Sequence, residues 1–169
     1  MKAIILSALA AMLVGACQQT KETPQVKVPT QAQLLEVNRR IAHENSQAID
    51  EYTTRHHWQV KRTGTGLRYF IYQTSQGKSI PKGSNVNIRY SLSLMDGTEL
   101  IKHKEPQTKS IIVEQEDAET GLHEVLQLMK EGESAKVVLP PHLAFGLTGN
   151  EKIPPYSTLI YDISIIRVE

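Results

Sequence analysis

The sequence predicts an α+β protein: an antiparallel β-sheet with one short α-helix on its concave face, preceded by a helical appendage. Three observations carry this. First, Val86, Ile88, Tyr90, Leu92 and Leu94 alternate with Asn85, Asn87, Arg89, Ser91 and Ser93, the pattern of a half-buried antiparallel strand with its polar residues on the exposed face. Second, Leu122, Val125, Leu126 and Met129 stand at i, i+3, i+4 and i+7, one narrow apolar face of a short helix. Third, residues 135–169 read as strand, long loop, strand. Val137-Val138-Leu139 stops at Pro140-Pro141, which cannot donate to a ladder, and residues 158–168 form a second alternating run. Strands around one amphipathic helix bury the apolar face of the sheet in a single core.

A chain of 169 residues has room for one domain and an appendage, and a formal charge of +1 speaks against nucleic acid as a partner. Residues 1–16 start with Met1-Lys2 and continue uncharged and mostly apolar, as a signal peptide does and too short for a spanning helix. Leu13-Val14-Gly15-Ala16-Cys17 resembles a bacterial lipobox. That resemblance implies lipidation of Cys17, the one cysteine of the chain, and attachment to a membrane by more than one acyl chain. No cysteine is then left for a disulfide. Gln18 stands where many inner-membrane lipoproteins place aspartate, which favours the outer membrane, facing the periplasm of the cell envelope.

Residues 17–29 combine the lipidated cysteine with a polar, proline-punctuated tether. Residues 30–58 form the predicted N-terminal helix, with Thr30 as its cap and Leu34, Val37, Ile41, Ala48, Ile49 and Tyr52 near helical spacing. This stripe is thin and needs a surface to dock on, which leaves two partners open: its own domain, or a second copy in a homodimer. His56-His57 is no metal site by spacing, because neighbouring histidines on one element point apart and no other ligand stands at a suitable interval. Trp58 is expected to plug the junction of helix and sheet.

Residues 59–169 are the predicted folded domain. Leu67, Tyr69 and Ile71 alternate, Gln76-Gly77-Lys78 marks a turn, and Met95-Asp96-Gly97-Thr98 marks a hairpin that returns through Glu99-Leu100-Ile101. Residues 102–109 read as a flexible charged loop, residues 121–130 as the helix, and Gly132 as its stop. The loop after Pro141 keeps apolar Phe145 and Ile153, as a binding wall does.

Pro140-Pro141, Ala144-Phe145-Gly146, Gly149, Ile153-Pro154-Pro155, Ser157-Thr158-Leu159 and Tyr161-Asp162 fall at the offsets of the FKBP-type peptidyl-prolyl isomerases, a resemblance that spans residues 67–169. It implies an FKBP-like sheet wrapped on its short helix, no cofactor, no metal, and proline-containing unfolded or envelope proteins as partners. Residues 55–58 and 63–69 further resemble the corresponding part of FKBP lipoproteins of the Bacteroidetes, the gliding-motility-associated isomerases among them. The resemblance assigns Tyr90, Phe145, Ile153 and Tyr161 to catalysis, and Leu100, Ile101, Leu122 and Glu119 to the substrate pocket.

The chain departs from the family pattern at several of these positions. Phe145 lacks the usual hydroxyl, Leu100 replaces an aromatic wall, Ile101 replaces a carboxylate, Leu122 replaces a frequent tryptophan, and Ala118-Glu119-Thr120 stands where two apolar residues normally precede Gly121. No nucleophile with a base, phosphate loop or apolar carboxylate pair is evident. An isomerase needs none of them: the amide barrier is about 18–20 kcal/mol, the twisted amide is less polar, and an apolar pocket that holds the ring favours it. Lowering the exchange time from tens of seconds to milliseconds takes about 10⁴-fold, or ~5.5 kcal/mol. The alternative is a catalytically weak FKBP-fold chaperone or protein-binding module.

Overall fold

The computed structural model describes residues 29–115 and 118–169. The expected signal peptide, Cys17 and all but the end of the tether lie outside the described residues. Helix α1 spans Gln31–Arg55. Strands β1 (Lys61–Arg62), β2 (Arg68–Gln73), β3 (Asn85–Leu94), β4 (Glu99–Ile101) and β5 (Gln107–Ile112) precede helix α2 (Thr120–Gln127), and β6 (Ser134–Leu139) and β7 (Leu159–Val168) end the chain. All strand pairs are antiparallel, in the order β1-β2-β6-β7-β3-β4. Strand β5 lies along the same edge of β3 as β4, pairing Asn85 to Tyr90 with Ile112 to Gln107.

The period-two alternation gives the sheet an apolar inner face. Val86, Ile88, Leu92 and Leu94 of β3, Val137 and Leu139 of β6, and Leu159, Tyr161, Ile163 and Ile165 of β7 pack with Leu122, Val125, Leu126 and Met129 in one core. Helix α2 sits close to β6: a Cβ on Gly121 would lie 2.6 Å from Leu139 Cδ2 and 3.0 Å from Leu143 Cβ. The helix ends at Gln127, with Leu128 as C-cap. Met129 still reaches the core, but Gly132 belongs to the turn into β6, where its N–H donates to Ile165 O. Gly132 is therefore not the helix stop that the sequence predicts.

The outer face is covered by the second half of α1. Thr30 caps this helix in a full capping box with Gln33, satisfying N–H groups that the first turn leaves open. Ile49 packs on Val138 and Ile160, with Tyr52, Trp58 and Met95 around them, so Trp58 does fill the junction of helix and sheet. The docked stripe differs from the predicted one. Ala48 is exposed while Ser46, Ile49 and Thr53 turn inward, because Arg68, only 2% exposed, needs partners on this side. Its guanidinium donates to Asp50 Oδ1 at 2.8 and 3.0 Å, to Ser46 Oγ at 2.7 Å, and to the Gly66 carbonyl.

Three further expectations are corrected. Ser91 is buried and Ser93 half-buried, since a second layer covers the face that alternation marks as exposed. The charged loop is shorter than residues 102–109: Gln107, Thr108 and Lys109 pair with β3, and their polarity is that of a protected edge strand rather than of a loop. Residues 76–78 form no turn; they run alongside Glu131, whose N–H donates to Lys78 O.

Candidate prolyl pocket

The inner face of the sheet, the start of α2 and the loop between β6 and β7 converge on one apolar cluster. Strand β3 supplies Tyr90 and β7 supplies Tyr161, whose rings stand 5.6 Å apart and tilted by 35°. The short return strand β4 brings Leu100 and Ile101 to the same cluster, and α2 brings Leu122. The loop after β6 begins with a 3-10 turn at Pro141–Leu143, the place where the prolines end the ladder. It then folds back so that Gly146 N–H donates to Pro141 O at 2.9 Å. Phe145 and Ile153 from this loop pack on the core, Ile153 buried. Seven of the eight residues singled out from the sequence thus join one apolar cluster, and the eighth, Glu119, enters it through Tyr161.

That contact was not legible beforehand. The Tyr161 hydroxyl donates to Glu119 Oε1 at 2.7 Å, although Tyr161 is 2% exposed. Burial, followed by the charge of Glu119 and this hydrogen bond, holds the Tyr161 phenol far above the usual tyrosine range, so it stays protonated. Burial and the charge of Glu119 also push Tyr90 up. The pocket is therefore apolar with two neutral phenols and one carboxylate at its edge.

Asn150 is a residue that the sequence reading did not assign to the site. Its Oδ1 accepts from the backbone N–H of Lys152 and of Ile153, both at 2.9 Å, and its own N–H donates to Ile153 O at 2.9 Å. These bonds tie the backbone at Ile153 to the start of the turn. The signal was available in the tendency of asparagine to bond the backbone two residues on. Gly149, at φ +64°, completes the turn, since a Cβ there would lie 2.1 Å from Ile153 O.

A polar cleft on the outer face, lined by Tyr72, Arg89, His103, Ser134 and Asp162 among others, is less suited to chemistry. Asp162 accepts from Tyr72 at 2.7 Å and Lys136 at 2.8 Å and pairs with His103 at 3.1 Å, so its polar groups satisfy one another. His56 stacks against Tyr52 and Trp58. Among the described residues no group of three or more His, Cys, Asp or Glu side chains is placed to hold a metal.

Residues 76–166 match the family described as FKBP-type peptidyl-prolyl cis-trans isomerase. The chain belongs to this family. The chain is 31% identical over 110 residues to the FKBP-type peptidyl-prolyl cis-trans isomerase FkpA of Escherichia coli (strain K12), a match covering 65% of this chain and 40% of that protein. It is 30% identical over 109 residues to FkpA of Buchnera aphidicola (strain APS), covering 64% of this chain and 45% of the relative. The chain thus matches less than half the length of these curated relatives. The crystal structure of FkpA from Escherichia coli superposes with a TM-score of 0.64 at 27% identity, over 82% of this chain and 65% of that one. A peptidyl-prolyl cis-trans isomerase structure from Pseudomonas syringae pv. tomato shares the FKBP fold, with a TM-score of 0.62 at 22% identity over 75% of this chain and 95% of that one.

Proposed function

We propose that this FKBP-type domain isomerises X-Pro bonds of unfolded or envelope proteins, tethered to a membrane through lipidated Cys17. The observation that carries the reading is the apolar cluster that Tyr90, Phe145, Ile153 and Tyr161 form with Leu122, Leu100 and Ile101, at the positions where the family resemblance places the prolyl pocket. A proline ring held between Ile153 and the two tyrosines loses water on several sides. The planar amide, which depends on resonance and is the more polar state, is then disfavoured relative to the twisted one. Phe145 has no hydroxyl to offer, and the Tyr161 hydroxyl is engaged by Glu119, so Tyr90 is the tyrosine of the pocket left to donate to a substrate carbonyl.

The lipobox and Gln18 support an outer-membrane location facing the periplasm, where newly translocated chains need folding help. The exposed Leu34, Leu35 and Val37 at the start of α1 are the surface on which a homodimer would form. The likeness of residues 55–58 and 63–69 to gliding-motility-associated isomerases supports a role in gliding motility.

The test is exchange spectroscopy on short X-Pro peptides with the chain from Thr20 onward. Acceleration is expected, reduced at least tenfold by Tyr90→Ala and by Ile153→Ala. A folded protein that accelerates nothing but still suppresses aggregation of an unfolded client would leave the binding module, the reading that the missing hydroxyl of Phe145 and the lost carboxylate at Ile101 favour.

A further inference from the structure

The pocket holds a carboxylate that neither helix capping nor an ion pair uses. Glu119 is the N-cap residue of α2, with φ −61° and ψ 137°, yet its side chain makes no capping hydrogen bond. Among the described residues no cation pairs with it. Oε1 accepts from Tyr161 at 2.7 Å, and the carboxylate raises the pKa of both Tyr161 and Tyr90, so its charge faces the two rings that wall the hollow. The amide dipoles at the start of α2 favour a negative charge at this position. A carboxylate with no cation beside it attracts one delivered by a ligand.

We infer that Glu119 sets the sequence preference of the pocket, selecting X-Pro segments that carry lysine or arginine next to the proline. This rests on the prolyl-pocket reading above and names its client chemistry. The Tyr161 hydroxyl holds the carboxylate at one place instead of letting it swing into solvent, which makes its field selective. The other side chains of the apolar hollow, Phe145, Ile153, Leu100, Ile101 and Leu122, bring no opposing charge. Glu119 therefore acts on the choice of substrate, while the apolar walls act on the amide.

The test uses the full chain and four peptides with lysine or glutamate immediately before or immediately after the proline, followed by NMR exchange spectroscopy. The lysine peptide of at least one pair is expected to show a kcat/KM about tenfold above its glutamate counterpart at low salt. The ratio should shrink towards unity in 1 M salt, where the screening length is only about 3 Å. Glu119→Gln is expected to abolish the preference and Glu119→Lys to reverse it, whereas a merely structural role would lower all four rates by one common factor. Equal rates for lysine and glutamate peptides in the native chain, or a preference that survives Glu119→Gln, overturn the inference. If no peptide is accelerated, the isomerase reading fails instead, and titration of the same peptides decides the inference through their Kd ratios.

Discussion

At the residue scale, Tyr161 links stability to the pocket. Its phenol is held protonated by burial and by Glu119, so the folded state binds that proton more tightly than the unfolded chain, where tyrosine titrates near pH 10. A folded-state pKa raised above the unfolded one means that the contribution is complete below about pH 10 and is lost as the pH climbs beyond it. Tyr52 and Tyr90 shift the same way, and Tyr72 is pushed up to about 12 by burial and Asp162. Urea midpoints are expected to fall between pH 9 and pH 11. Tyr161→Phe should cost about 1.5–3 kcal/mol at pH 7 through the lost hydrogen bond to a charged group and should make the alkaline fall shallower. An unchanged alkaline slope in that variant would show that Tyr161 is not a source of it. That Tyr90 joins the apolar inner face was legible, because it shares the period-two alternation of β3. The pairing of Tyr161 with Glu119 was not, since nothing local to either residue announces the other.

At the element scale, the fit of α2 against β6 decides how deep the pocket is. Gly121→Ala brings a gain in helix propensity of up to ~1 kcal/mol. It also places a methyl where Leu139 Cδ2 lies 2.6 Å and Leu143 Cβ 3.0 Å away, an overpacking worth about 1–3 kcal/mol. A net destabilisation of about 1–2 kcal/mol is expected in urea titration, with weaker peptide binding because Leu122 moves outward along with the helix. A stabilised Gly121→Ala would show that the helix is free to shift. Helix α2 was read from its period, since Leu122, Val125 and Leu126 repeat an apolar face. Strand β5 was not, because Gln107, Thr108 and Lys109 carry the polar side chains of a sheet edge and match no alternating template.

At the scale of the whole molecule, α1 divides into a part that docks and a part that does not. Leu34, Leu35 and Val37 are 50%, 60% and 41% exposed, whereas Ile49 is fully buried. Removing the chain up to residue 42 is expected to leave the urea midpoint nearly unchanged. Removing it up to residue 58 uncovers Val138 and Ile160 and takes Asp50 and Ser46 away from the buried Arg68, with an expected loss of about 3 kcal/mol or more. Equal stability of the two shortened chains would mean that the helix rests on the sheet without supporting it.

By itself, the sequence determined the α+β class, the single short helix among the strands and the hairpin at Gly97. Each of these is written in a local period or in the spacing of prolines and glycines, which act on the backbone within a few residues. Only the tertiary structure decided which side of α1 faces the sheet, that Ser91 is buried, that residues 107–112 join β3, and that Tyr161 meets a carboxylate 42 positions away. Those outcomes depend on strand register and on which distant surfaces meet, and they follow the need of buried groups such as Arg68 for partners, a need that no local pattern records.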